Sequence, residues 1–120
     1  MSVPLIVKRI LSGSTNGRNI AITATSSPGT LIHTAQPGTV AGSYDEVWLW
    51  VVNNSSQTVD FVLQFGGTGS SDATSLPIPA TSGPVLIAPG LPLQNSLVVR
   101  AYASSSSACV VQGYVNRLTA

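Results

Sequence analysis

Enzymes need acids, bases, nucleophiles or metal ligands brought to one place, and this chain, though rich in Ser and Thr, is short of acids, bases and metal ligands. Its 120 residues hold one histidine, His33, one cysteine, Cys109, and four carboxylates, Asp45, Glu46, Asp60 and Asp72. A Ser-His-acid arrangement would have to use His33, and no second base remains for any other. With Leu31 and Ile32 beside it in a short strand, His33 reads as a hydrogen-bonded structural histidine. Asp45 and Glu46 are neighbours, so in a strand they point to opposite faces and are not an acid/base pair. They read as a solvated strand entrance. Asp72 lies in a Gly/Ser-rich stretch and suits a turn. His33, Cys109 and the carboxylates show no metal-ligand spacing. Gly66-Gly67-Thr68-Gly69 is glycine-rich, but with no lysine and no following helix it is not a phosphate loop. The expectation is therefore no catalytic residue, no cofactor and no metal site, and a protein that is not an enzyme.

What remains for function is surface. Charged residues make up 8% of the chain, against about 25% in an ordinary soluble domain. A surface so poor in charge is expected to be hidden in an assembly; a monomer covered in Ser and Thr is the plainer alternative. The net charge is +1 with no basic stripe, which argues against nucleic-acid binding through phosphates. Arg100 and Arg117 stand alone in apolar strands, and an outward position at an intersubunit contact is expected for both, with Tyr102 on the Arg100 face. Cys109, flanked by Ala108, Val110 and Val111, reads as a buried small hydrophobe. The N-terminal MSVPLIVKRIL lacks the order and length of a signal peptide, and no apolar run reaches membrane-spanning length, so an unprocessed cytoplasmic product is expected.

The elements that position these residues are strands. Asp45–Gly66 is the most apolar stretch. Val47–Val52 is apolar throughout, as in a strand covered on both faces. In 58–65, Val59, Phe61, Leu63 and Phe65 alternate with Thr58, Asp60, Val62 and Gln64, as in a half-buried strand. Asn53–Gln57 between them is rich in turn formers. The pattern predicts a hairpin with Val51 opposite Val59, Leu49 opposite Phe61 and Val47 opposite Leu63. Its other face would then carry Trp48 and Trp50 beside Val62 and Asp60. These tryptophans are expected either beneath a loop or the N-terminal segment, or at a partner interface.

Further strands are expected over 3–11, 19–25, 30–35, 84–88, 95–103 and 108–118. Asn16-Gly17 is a hairpin signal between the first two, and Gly113 marks a bulge or a close backbone approach in the last. Gly66–Gly83 reads as a long Gly/Ser/Pro-rich loop or arm, with Leu76-Pro77-Ile78-Pro79 extended within it as an edge strand or an arm that reaches a neighbour. No stretch has helical periodicity. Residues 1–120 are thus read as a single all-β domain: an antiparallel β-sandwich, best a jelly roll of about eight strands, with an immunoglobulin-like sandwich as the alternative.

The hairpin VWLWVVNNSSQTVDFVLQFGG is followed by Ile78-Pro79, Leu86-Ile87-Ala88-Pro89-Gly90, Leu97–Ala103 (LVVRAYA) and Val110–Arg117 (VVQGYVNR). Over roughly residues 45–118 this order resembles small capsid decoration (cement) proteins of tailed bacteriophages. The resemblance is one of pattern, with no catalytic set to carry over. It implies a β-sandwich, often a jelly roll, that forms a homo-oligomer, dimer or trimer, on the outside of the virion head. There it bridges and stabilises major capsid protein subunits. Interface candidates under this reading are Trp48, Trp50, Asp60, Leu76, Pro77, Ile78, Pro79, Arg100, Tyr102 and Arg117, with no nucleic acid or membrane as partner. The alternatives are another phage structural part (neck, tail or head fibre) and a sugar-binding β-sandwich module in which Trp48 and Trp50 stack on a glycan.

Overall fold

A computed structural model describes residues 4–120. The chain folds into nine strands and one short 3-10 turn: β1 Leu5–Ile10, β2 Ile20–Ala21, β3 Thr30–Thr34, β4 Tyr44–Asn53, β5 Val59–Phe65, the turn Ser70–Asp72, β6 Ala73–Ile78, β7 Val85–Leu93, β8 Val98–Ala103 and β9 Cys109–Thr119. One sheet has the order β1-β9-β4-β7, with β2 continuing the β1 position along β9; the other has the order β3-β8-β5-β6. All pairings are antiparallel. With β1 and β2 counted as one interrupted strand, this is the eight-strand double Greek key of a jelly roll. The first strand lies antiparallel beside the last, whereas the constant-type immunoglobulin sandwich, with sheets ABED and CFG, puts its first and last strands in different sheets.

The core lies between the sheets. Val47, Leu49, Val51, Val59, Phe61 and Leu63 are all buried, as the alternation predicts. The predicted hairpin is nevertheless wrong. β4 pairs with β7 and β9, while β5 pairs with β6 and β8, so the two strands face each other across the core in different sheets. Periodicity says which side of a strand meets the core. Two core-facing sets are equally satisfied side by side or across the sandwich, so periodicity does not select the partner. Asn53 directs the crossing. It is fully buried; its Nδ2 donates to the carbonyls of Gln57 and Ile78, and its Oδ1 accepts from the Ser55 amide.

Three further expectations change. Asn16-Gly17 adopts positive φ, 56° and 86°, as its turn signal requires, but β1 and β2 do not pair with each other. Both run along β9: Ile10 opposes Tyr114 and Ile20 opposes Val111, so residues 11–19 bulge out as one excursion. The 66–83 stretch is not a free loop: β6 within it pairs with β5 from Val59↔Ile78 to Gln64↔Ala73, so of the two forms expected for Leu76-Pro77-Ile78-Pro79 the edge strand holds over Leu76–Ile78. Pro77 is tolerated there because β6 is an edge strand. The strand expected over 84–88 does not end before Pro89-Gly90 but runs on to Leu93. Pro89-Gly90 forms a bulge inside β7, where the register shifts between Val47↔Leu91 and Trp48↔Pro89 and Gly90 takes φ 72°.

Candidate functional site

Two groupings of side chains stand out once the strands are paired. The first is polar and closes one end of the sandwich. Asp45 on β4 lies opposite Arg117 on β9. Arg117 Nε donates to Asp45 Oδ1 at 2.8 Å and an Arg117 terminal nitrogen donates to Oδ2 at 2.9 Å, a bidentate pair. His33 Nε2 lies 2.7 Å from the same Oδ2, and the Gln36 amide donates to it at 3.2 Å. The Ser12 amide donates to His33 Nδ1 at 3.0 Å. That bond makes Nδ1 an acceptor, so the histidine is neutral and its proton sits on Nε2, facing Asp45. Burial would raise the Asp45 carboxyl, but the hydrogen bonds and charge of Arg117, with His33, outweigh it and hold the group below its ordinary value. Burial lowers His33, more than the Asp45 carboxylate raises it.

This geometry corrects two expectations. Asp45 is fully buried rather than a solvated strand entrance. Arg117 is not turned to a neighbour; it neutralises a carboxylate of its own chain. His33 is the hydrogen-bonded structural histidine expected of it. A histidine oriented by an aspartate has half of a catalytic geometry, but both ring nitrogens are occupied and the ring is 2% exposed. The Ser12 hydroxyl is itself engaged, accepting from the Thr34 amide. The arrangement joins β3 of one sheet to β4 and β9 of the other, and its chemistry is that of a clamp.

The second grouping is aromatic and lies on the outer face of the β1-β9-β4-β7 sheet. Trp48 and Trp50 alternate with core residues on β4, and Tyr114 on β9 lies opposite Trp48. Trp48 and Tyr114 have ring centroids 6.4 Å apart with planes at 17°. The two tryptophans are 6.4 Å apart at 21°, and Trp50 and Tyr114 are 6.2 Å apart, each within the range of favourable aromatic pairs. Lys8 on β1 places its ammonium 4.2 Å from the Tyr114 centroid, a cation–π contact. Trp48 Nε1 donates to Glu46 Oε1 at 2.7 Å, and Asn116 Nδ2 donates to the same oxygen at 3.1 Å. These two bonds lower the Glu46 carboxyl below its ordinary value.

Two glycines let the rings and strands come this close. A Cβ on Gly113 would collide with the Trp48 carbonyl oxygen, so Gly113 makes the close backbone approach its position in a strand implies. A Cβ on Gly90 would lie 2.9 Å from Trp48 Cζ2. Apolar side chains flank the rings. On β1, Ile6 is 65% and Ile10 56% exposed, and on β7 Leu86 is 46% exposed. No residue of β1 is buried.

The remaining interface candidates are scattered. Asp60 is exposed on β5, in the other sheet, opposite Pro77 and away from the tryptophans. This corrects its placement beside Trp48 and Trp50, which followed from the mistaken hairpin. Ile78 is buried in the core and Leu76 packs against it, so neither is a contact residue of an arm; Pro77 and Pro79 are exposed. Arg100 donates to the Gly29 carbonyl at 3.0 Å and, with Gln64 bonded to the Gly29 amide and Ser27, holds the 27–29 turn against its own sheet. Tyr102 lies beside Val62, partly exposed. Asp72 accepts from the Gly69 amide as the turn residue expected. Cys109 is a buried free thiol, pushed up by burial. Sequence reasoning missed Tyr114, Lys8 and Glu46 as companions of the tryptophans, because only the β9 pairing brings them together.

No protein-family model matches the chain, and no curated protein or solved structure matches it either. Function must therefore be argued from the two groupings. Among the described residues no three His, Cys, Asp or Glu side chains gather as metal ligands. A cleft lined by Ser55, Ser56, Gln57, Thr58 and Ser104 carries no titratable side chain. Among the described residues the aromatic face, with half-buried rings flanked by exposed Ile6, Ile10 and Leu86, is an extended apolar surface.

Proposed function

We propose that this protein is a virion structural protein, a capsid decoration (cement) subunit. It homo-oligomerises on the outer surface of a tailed-bacteriophage head and bridges major capsid subunits. The observation that carries the reading is the aromatic and aliphatic face around the partly exposed rings of Trp48, Trp50 and Tyr114, in a chain with 8% charged residues. Tryptophan and tyrosine at the centre of a patch, with few charges, are the composition of protein contact surfaces. The jelly roll suits the resemblance over residues 45–118. It is a rigid scaffold that offers two broad sheet faces, and many modest contacts on a symmetric shell add by avidity. The reading involves no nucleic acid, no membrane and no cofactor.

The test is the stoichiometry of this chain in purified particles of the phage whose genome encodes it. A decoration protein is present at a copy number comparable with the major capsid protein. About twelve copies or fewer, the number a single symmetric ring supplies, would instead assign the chain to the neck, tail or a head fibre. Absence from particles would remove both. A sugar-binding module is the second reading, favoured by near-parallel rings beside the Glu46 carboxylate and the Asn116 amide. A glycan array with no hits removes that one.

A further inference from the structure

The outer face of the β1-β9-β4-β7 sheet is built in register rows. Lys8, Asn116, Glu46 and Pro92 form one row across the four strands. On one side of it lies the row Ile10, Tyr114, Trp48 and Pro89; on the other lies Ile6, Leu118 and Tyr44. Within these rows the charged residues are Lys8 and Glu46, one cation and one anion, set symmetrically about Asn116 on β9. In the chain they are separated by that strand and make no ion pair with each other, whereas the ion pairs formed are those of Asp45.

Such a face is complementary to itself. Consider a two-fold axis that lies between two stacked copies and runs along β9. It sets Lys8 of each copy against Glu46 of the other, Ile10 against Trp48, and Ile6 against Tyr44, while Tyr114, Asn116 and Leu118 meet their own counterparts. Sheets packed face to face sit about 10 Å apart with strands within about 30° of parallel, which keeps these rows in contact near the axis. A two-fold contact uses the same patch twice and so needs this self-complementarity. A partner of different sequence would have to supply an anion and a cation at matched positions, which a second copy supplies without further requirement.

We propose that the aromatic face is the dimerisation surface of this protein, with a second copy stacked across it about a two-fold axis along β9 and held in register by reciprocal Lys8–Glu46 pairs. This rests on the reading of the chain as a homo-oligomer and goes beyond it by naming the surface and the symmetry.

The experiment measures self-association by sedimentation equilibrium for the wild type, Lys8→Glu, Glu46→Lys and an equimolar mixture of the two variants. Each variant alone faces like charges at both symmetry-related sites, and its dimer dissociation constant is expected to rise at least about tenfold. In the mixed dimer each site again joins an acid to a base. At one site the two substituted side chains face each other, and at the other the native Lys8 and Glu46 do. The mixture is therefore expected to associate within about threefold of the wild type. Glu46→Lys gives up the hydrogen bonds from Trp48 and Asn116. If it does not fold, the double variant Lys8→Glu, Glu46→Gln keeps an acceptor oxygen and is expected to recover association relative to Lys8→Glu. Variants that associate like the wild type, a mixture with no recovery, or a wild type that stays monomeric would each overturn the proposal. The particle copy number is measured separately, so a dimer formed through another surface would leave the decoration reading intact.

Discussion

Protonation of His33 would put a second proton on Nδ1, which already accepts the Ser12 amide at 3.0 Å. The folded chain therefore resists the proton, and burial acts in the same direction. Asp45 is likewise lowered in the fold. Both shifts mean that the unfolded chain binds protons first as pH falls. The stability conferred by His33 is fully present above its unfolded value of about 6.5 and is lost below it; that of Asp45 is lost in more acid solution, below about 3.9. The urea midpoint is expected to fall between about pH 7.5 and pH 5, and His33→Gln is expected to flatten that fall. An unchanged slope in the variant would assign the acid sensitivity to another group. Arg117→Ala leaves the Asp45 carboxylate buried without its main counter-charge, and is expected to cost about 2–3 kcal/mol in a urea titration. A loss under about 0.5 kcal/mol would mean that Arg117 behaves as an exposed surface charge.

At the scale of the elements, the faces of strands were legible and their partners were not. The alternation from Val59 to Phe65 and the apolar run from Val47 to Val52 show which side chains meet the core, because burial imposes a period of two on each strand by itself. Pairing in a jelly roll joins strands far apart in the chain, β1 to β9 and β4 to β9, and no local pattern records it. The same gap hid the clamp: Asp45 lies 72 residues from Arg117 and 12 from His33. Trp48 and Trp50 were legible as residues in need of a cover, while Tyr114 beside them was not. Gly113 was legible, since a glycine inside an apolar strand has few other reasons to be there. Gly113→Ala forces its Cβ into the Trp48 carbonyl and is expected to cost about 2–3 kcal/mol by loosening the β4–β9 ladder. Gly83→Ala, which meets nothing within 4 Å, is the control and is expected to change stability by less than about 0.5 kcal/mol. Equal effects at both sites would contradict the close approach.

At the scale of the molecule, the two sheets have different outer faces. The β3-β8-β5-β6 sheet is partly roofed by its own 27–29 turn, held by Gln64 and Arg100. On the β1-β9-β4-β7 sheet the rings of Trp48, Trp50 and Tyr114 are partly exposed, and the edge strand β1 has no buried residue. Both tryptophans of the chain lie on that second face. Intrinsic tryptophan fluorescence therefore reports on this one surface and on nothing else in the protein. Its emission maximum and acrylamide quenching, followed from nanomolar to high micromolar protein, test the assembly surface directly. A blue shift and a loss of quenching that track the mass of the oligomer are expected. An oligomer that forms while emission and quenching stay at their dilute values would contradict this surface, because the protein would then assemble in a way that leaves the partial water exposure of Trp48 and Trp50 unchanged.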